Sequence, residues 1–122
     1  MLFWIALGGA AGSVLRYLAG GTVQRMGGVG FPVGTLVVNV TGCLLIGALS
    51  QHFMNTQIHP YIRAALITGF CGGYTTFSAF SLETVGLVEG GAYGKAAAYI
   101  VLSLALSILA TFAGMAAVRA TA

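Results

Sequence analysis

Charge is the scarcest property of this 122-residue sequence. Only 6% of the residues are charged, five Lys or Arg and two Asp or Glu, whereas a soluble domain is about 25% charged. Apolar residues make up 58% of the chain, so these few charges cannot cover the surface of a folded domain. The composition argues against a soluble enzyme, and the absence of clustered Lys and Arg argues against a nucleic-acid partner.

Cysteines and catalytic motifs are equally sparse. Cys43 and Cys71 stand within apolar runs, without a CxxC motif or a Cys/His cluster. We interpret both as small buried hydrophobic residues rather than disulfide partners or metal ligands. No Ser/His/Asp set, carboxylate pair or phosphate-binding loop is present, which indicates that the protein is not an enzyme. The first charge, Arg16, follows the first apolar run, so a cleaved signal peptide is not expected.

Apolar runs fill the rest of the sequence. A helix needs about 20 apolar residues to cross a hydrocarbon core of roughly 30 Å. Four charge-poor runs reach that length, at about 2–23, 32–53, 61–88 and 93–118. The pattern predicts an all-α membrane protein with four transmembrane helices, in which residues 1–122 form a single domain in the cell (inner) membrane.

The positive charges carry little information on orientation. After four crossings, Arg63 and Arg119 flank one side of the membrane, and Arg25 and Lys95 flank the other. Arg16 lies in the half of the first run nearest the second side. The positive-inside bias is therefore nearly absent. This balance is compatible with insertion in both orientations, or with orientation set by other signals.

Glycine is abundant, with 19 residues, many of them within the predicted helices. Gly8 and Gly12 form a GxxxG motif. Small residues let membrane helices approach closely, so these glycines predict tightly packed crossings. Because four thin helices are too few to enclose a conducting path alone, we expect a homo-oligomer.

The middle of the third run combines adjacent glycines with hydroxyl side chains. Gly72 and Gly73 each weaken a helix by about 1 kcal/mol relative to Ala. The hydroxyls of Thr75, Thr76 and Ser78 can satisfy backbone groups that a break releases. This stretch indicates a helix broken mid-membrane, whose free carbonyls can hold a cation and whose N–H groups can face an anion. A continuous helix with small residues at a tight crossing is the alternative.

Two aromatic residues follow the predicted break. Phe77 and Phe80 lie three positions apart and so share one helix face. An aromatic ring has a positive edge, so rings presented edge-on can contact an anion. Lipid contact or core packing is the commoner explanation for such a pair.

Other polar side chains recur within the second and fourth runs. Asn39 is the amide placed deepest in any predicted helix, and its NH₂ group can donate two hydrogen bonds. Interhelical hydrogen bonding is its alternative role. Within the fourth run, hydroxyl side chains recur every four residues and form a stripe along one helix face. Helix packing is the alternative role of this stripe, which comprises Tyr99, Ser103, Ser107 and Thr111.

Arg16 and Glu83 are the charges placed closest to these polar groups. Arg16 can raise the anion concentration at a pore mouth, or snorkel to the interface. Glu83 can pair with Arg16 across subunits or line a vestibule. The first, second and fourth runs contain no acidic residue, which argues against proton-coupled cation export. The donors favour a small anion, but they do not separate fluoride from chloride.

Three stretches, taken together and in this order, are characteristic of one family. They are GGAAGSVLRY at 8–17, GTLVVNVTG at 34–42 and GGYTTFSAFS at 72–81. On these stretches the sequence resembles the Fluc (CrcB) fluoride channels over essentially its full length. One departure is Ala79, where the family commonly has Thr, so one hydroxyl is missing between the two Phe positions.

The resemblance implies an antiparallel, dual-topology homodimer with two pores, which mediates passive fluoride efflux and lowers cytoplasmic fluoride toxicity. It implies Na⁺ at the dimer centre, held by the backbone carbonyls of Gly72 and Thr75, and a vestibule arginine at Arg16. The expected partners are fluoride, membrane lipid and a second copy of the chain. The pore residues that it implies, together with neighbouring polar residues of the same runs, are Phe77, Phe80, Asn39, Thr76, Ser78, Tyr99, Ser103, Ser107 and Thr111.

Two other functions are open on the residues alone. A non-conducting membrane assembly protein would share the glycine-rich crossings and the absence of catalytic groups. A less selective small-anion transporter would share the hydrogen-bond donors.

Overall fold

Long helices form most of residues 1–121, which are the residues that the computed structural model describes. Three of these helices are continuous: α1 (Leu2–Gly27), α2 (Val33–Asn55) and α6 (Tyr93–Thr121). The chain between α2 and α6 forms shorter pieces. They are α3 (Pro60–Arg63), a π-helical stretch (Ala64–Cys71), α4 (Gly72–Tyr74) and α5 (Phe77–Glu89).

α1, α2 and α6 are long and apolar enough to cross a membrane. The shortest, α2, has 23 residues, and at a rise of 1.5 Å per residue it is about 35 Å long, more than the roughly 30 Å hydrocarbon core. Large apolar side chains cover the outside of the chain, with Leu2 82% and Leu18 57% exposed. Such a surface requires lipid rather than water. The protein is therefore a multi-pass membrane protein.

The helices extend a few residues beyond the apolar runs that predict them. α1 ends at Gly27 rather than near 23, α2 at Asn55 rather than near 53, and α6 reaches Thr121 rather than about 118. The predicted ends follow the apolar character of the sequence. Helical hydrogen bonds do not need apolar side chains, so they continue into the polar residues at the ends of the runs.

The third run contains two helices joined by extended backbone. α3, the π-helical stretch and α4 form one uninterrupted rod over 60–74, here called the first half-helix, and α5 is the second half-helix. Between them, Thr75 (φ −83°, ψ 158°) and Thr76 (φ −149°, ψ 118°) are extended. The second half-helix then begins with the Thr76 hydroxyl as its N-cap, accepting a hydrogen bond from the backbone N–H of Ala79 at 3.1 Å.

Polar side chains tie the helix ends together at both ends of the bundle. At one end, the Gln24 amide donates to the Phe31 carbonyl at 3.0 Å and accepts from the Gly34 N–H at 3.0 Å, which fastens the α1–α2 turn. At the other end, Arg119 donates to the side-chain oxygen of Gln51 at 2.9 Å. These contacts hold α1 to α2 and α2 to α6 where the apolar packing ends.

Glycines set the closest helix contacts. A Cβ atom added to Gly114 of α6 would overlap the Leu44 carbonyl of α2, and one added to Gly47 would overlap the Thr111 carbonyl of α6. α1 approaches the first half-helix in the same way, since a Cβ at Gly12 would overlap the Phe70 carbonyl. Side chains of ordinary size would therefore push these helices apart.

We expect Gly114→Ala to destabilise the protein by about 1–3 kcal/mol, because the added methyl group meets backbone atoms that cannot move independently. The matched control is Gly86→Ala, since a Cβ at Gly86 meets nothing within 4 Å. Thermal unfolding in detergent measures the difference. Equal melting temperatures for the two variants would contradict the close packing of α2 against α6.

Candidate functional site

The extended backbone between the half-helices is held by one side chain of α2. The Oδ1 atom of Asn39 accepts a hydrogen bond from the Thr76 N–H at 2.8 Å, and its Nδ2 donates to the Thr76 carbonyl at 3.0 Å. These two bonds stand in for the helical partners that Thr76 does not have. One N–H of the Asn39 amide is left over for another acceptor.

The last carbonyls of the first half-helix are satisfied unequally. The Cys71 carbonyl accepts from both the N–H (3.1 Å) and the hydroxyl (2.9 Å) of Thr75. The Gly73 carbonyl accepts from the Arg16 guanidinium at 3.2 Å. Within residues 1–121, no hydrogen bond reaches the carbonyl oxygens of Gly72 or Thr75. These two oxygens are therefore free to face a hard cation, and Gly72 is exposed on the surface of the protomer.

A first cavity, of about 450 Å³, opens beside the break, and we call it the vestibule cavity. Arg16, Thr35, Thr76, Ala79 and Glu83 all lie in its wall. Its wall contains full charges, whereas the wall of a second cavity at the break, described below, contains none. The vestibule cavity thus combines two cationic side chains, Arg16 and Arg25, and one acidic side chain with hydroxyls.

Glu83 is hydrogen-bonded to hydroxyl groups rather than to Arg16. Its carboxylate accepts from the Thr35 hydroxyl at 2.7 Å and from the Tyr99 hydroxyl at 2.8 Å. The hydrogen bond of Arg16 goes to the Gly73 carbonyl. The structure of one protomer thus places both residues at the vestibule cavity without pairing them, and pairing across subunits stays a prediction.

A second cavity, of about 220 Å³, also lies at the break, and we call it the track cavity. Thr76 lies in the walls of both, so both cavities border the extended backbone. α2, the break, the second half-helix and α6 all contribute to it. Its wall comprises Asn39, Cys43, Thr75, Thr76, Phe77, Phe80, Ser103, Leu104 and Ser107.

The two phenylalanines meet at the track cavity with very different exposure. Their ring centroids are 5.3 Å apart with an interplanar angle of 62°, an edge-type arrangement. Phe80 is 8% exposed and also contacts the Tyr99 ring, at a centroid distance of 5.2 Å. Phe77 is 74% exposed. Phe80 is therefore fixed between two rings, whereas most of the Phe77 side chain is exposed on the surface.

The hydroxyl stripe of α6 divides into three environments. Ser103 and Ser107 lie in the wall of the track cavity. Tyr99 is fully buried and points its hydroxyl at Glu83. Thr111 lies outside that wall, and its hydroxyl donates to the Ser107 carbonyl of its own helix at 3.2 Å.

Ser103 is the unusual member of the stripe. It is 6% exposed, and its hydroxyl has no hydrogen-bond partner among residues 1–121. A buried hydroxyl without a partner costs about 1–3 kcal/mol. An occupant of the track cavity that can accept or donate a hydrogen bond would remove that cost.

Ser78, like Tyr99 and Thr111, is a predicted site residue that lies outside the walls of both cavities. It is exposed, and its hydroxyl is 3.3 Å from the Thr76 hydroxyl. Ser78 thus supports the residue at the break rather than a cavity wall. The Ala79 side chain, by contrast, lines the vestibule cavity, where a Thr would add a hydroxyl.

The sequence interpretation of the cysteines is correct for Cys71 and correct only in part for Cys43. Both are free thiols, and Cys71 is 2% exposed. Cys43, however, is half-buried and stands in the wall of the track cavity. Its position four residues after Asn39, on the same face of α2, is the signal that could have identified it.

Thr35 is a second residue whose role the sequence does not identify. Its spacing from Asn39 indicates a shared helix face, and the structure adds that it binds Glu83. That partner is 48 residues away along the chain. No local pattern points to such a pair.

Comparison with known proteins gives a consistent family. Residues 3–115 match the family described as CrcB-like protein, Camphor Resistance (CrcB). A relative from Rhizobium meliloti (strain 1021), named fluoride-specific ion channel FluC, is 53% identical over 117 residues, 95% of this chain and 94% of the relative. Relatives of the same name from Ruegeria sp. (strain TM1040) and Sulfurovum sp. (strain NBC37-1) are 52% and 44% identical, covering 94% of this chain in each case and 91% and 90% of the relatives. The resemblance seen in the sequence motifs is confirmed, and this chain belongs to the CrcB family.

Proposed function

We propose that this protein is a fluoride-selective ion channel that mediates passive fluoride efflux and so lowers cytoplasmic fluoride toxicity. The observation that carries the proposal is the track cavity, whose wall contains the Asn39 amide, the Phe80 ring and the unpartnered Ser103 hydroxyl. The name of the relatives, fluoride-specific ion channel FluC, supports the same conclusion over nearly the full chain.

The chemistry of the cavity walls fits a small anion that loses its water. Fluoride is compact, so the groups that replace its water must be short donors at close range. The remaining Asn39 N–H and the hydroxyls of Thr76, Ser103 and Ser107 supply such donors. The Phe80 ring can add a positive edge without adding a charge. Fixed dipoles of this kind stabilise the ion but still release it, as conduction requires.

Arg16 places a positive charge in the wall of the vestibule cavity. A cation at the mouth raises the local concentration of anions. Glu83 is held by two hydroxyls, which keeps its carboxylate oxygens occupied at the same mouth. Neutral HF crosses the bilayer, dissociates in the cytoplasm and leaves the anion trapped there. A passive path for the anion is then sufficient to lower its concentration.

We expect liposomes containing the purified protein to release fluoride much faster than chloride. The ratio should be at least roughly tenfold, because a difference of about 1.4 kcal/mol between the two barriers is sufficient for that. Ion-selective electrodes measure both fluxes on the same preparation. Similar fluxes would indicate a less selective small-anion transporter, and no flux of either ion would indicate a non-conducting assembly protein.

We expect Phe80→Ile to lower fluoride flux roughly tenfold, since an aliphatic side chain fills the space but offers no positive ring edge. The matched control is Phe112→Ile, because Phe112 is 66% exposed on α6, outside the wall of the track cavity. Both variants should elute like the parent protein on size exclusion. Parental flux in Phe80→Ile would rule out a role for the ring.

The path proposed here is completed by a second copy of the chain. Phe77 is 74% exposed, so one edge of the track cavity is unfinished in a single protomer. Arg25 and Lys95 at one end of the bundle balance Arg63 and Arg119 at the other. These observations support an antiparallel homodimer of dual topology, with the third crossing broken mid-membrane at Thr75 and Thr76.

The free carbonyls at the break fit a structural Na⁺ at the centre of that dimer. The oxygens of Gly72 and Thr75 accept no hydrogen bond from residues 1–121. Carbonyl oxygens are hard donors of the kind that Na⁺ takes. A bound Na⁺ would supply positive charge where the backbone of two subunits presents only acceptors.

We expect replacement of Na⁺ by N-methyl-glucamine to reduce the dimer fraction and the fluoride flux together, because the carbonyls would then face each other without a cation. Crosslinking in detergent reports the dimer, and the electrode reports the flux. The large organic cation keeps ionic strength constant and cannot enter a carbonyl site. Identical dimer fraction and flux in both media would argue against a structural Na⁺.

A further inference from the structure

We propose that the Cys43 thiol is a modification site within the wall of the ion path, at which small aqueous thiol reagents attach and block permeation. The inference rests on the proposed function, because it takes the track cavity to be part of the fluoride path.

The position of Cys43 on α2 places it beside the groups that hold the break. It follows Asn39 by one helical turn, and both residues stand in the wall of the track cavity of about 220 Å³. Asn39 is engaged with the Thr76 backbone at 2.8 and 3.0 Å, so this part of α2 is fixed against the break. The thiol therefore borders the narrow space next to Phe77 and Phe80.

A second feature of the cavity indicates that it holds polar occupants. Ser103, on α6, is 6% exposed, and its hydroxyl has no hydrogen-bond partner among residues 1–121. Buried polar groups in proteins nearly always have a partner, so this hydroxyl requires a hydrogen-bonding group that residues 1–121 do not supply. In the proposed path that partner is the permeating ion or its water, and the thiol in the same wall is reached by the same route.

The two cysteines of the chain differ in how accessible their thiols are from the track cavity. Cys43 is half-buried and borders the cavity, whereas Cys71 is 2% exposed and is not part of the wall. Thiol reactivity requires the thiolate and access to it. The difference in access assigns the reaction to Cys43 and makes Cys71 the internal control.

The reaction with methyl methanethiosulfonate is a simple exchange at sulfur. The Cys43 thiolate, whose proton has gone to water, attacks the divalent sulfur of the reagent, the one outside the sulfonyl group. A new S–S bond forms, the S–SO₂ bond breaks, and methanesulfinate leaves with the electron pair. The side chain now carries a methylthio group that projects into the track cavity, and dithiothreitol restores the thiol by a second exchange.

The test treats the reconstituted protein with methyl methanethiosulfonate and measures fluoride efflux before and after. We expect efflux to fall roughly tenfold and to recover after dithiothreitol, because the added group occupies the space that the ion needs. Mass spectrometry of the same sample should find the methylthio group on Cys43. Modification of Cys43 with unchanged efflux would overturn the proposal.

Two variants separate the thiols, and each is compared with its own efflux before the reagent. Cys71→Ala should be blocked like the parent protein, and both Cys43→Ser and Cys43→Ala should be insensitive. Block of the Cys43 variants, or loss of block in Cys71→Ala, would also overturn the proposal. A protein that releases no fluoride before the reagent fails the proposed function, which is distinguishable from efflux that the reagent leaves unchanged.

Discussion

The pair of hydrogen bonds between the Asn39 side chain and the Thr76 backbone is the interaction on which the site depends. In the hydrocarbon core of a bilayer, each N–H or carbonyl that faces lipid without a partner costs several kcal/mol. Extended backbone inside a membrane protein therefore needs partners from its own side chains. Asn39 supplies them for Thr76, while the hydroxyls of Thr75 and Thr76 close the ends of the two half-helices. With these partners, a polar break is compatible with a very apolar chain.

Both cavities border the break, and their walls differ in chemistry. The vestibule cavity has Arg16 and Glu83 in its wall, whereas the track cavity has amide, hydroxyl, thiol and ring groups without a full charge. Glu83 is occupied by Thr35 and Tyr99, so its carboxylate is held at the boundary. An anion passing between the cavities would thus move from a charged mouth to a neutral, donor-lined interior.

Close helix packing is what brings these groups within reach of one another. Gly47 and Gly114 let α2 and α6 approach until backbone atoms touch, which sets Asn39 and Cys43 in the same cavity wall as Ser103. Gly12 does the same for α1 and the first half-helix, where Arg16 reaches the Gly73 carbonyl at 3.2 Å. The glycines therefore act on the site through the distance between helices, not through flexibility.

The sequence by itself determined the membrane class, the helical content and the polar stretch near Thr76, because charge content and the length of apolar runs are local properties. It also put Phe77 and Phe80 on one face, since helical spacing decides that. Only the tertiary structure decided that Cys43 borders a cavity and that Glu83 binds Thr35 and Tyr99. It also decided that the Ser103 hydroxyl lacks a hydrogen-bond partner, whereas the Thr111 hydroxyl has one in its own helix. These facts depend on how each helix is rotated and where helices cross, and the period of a single helix carries no information on either.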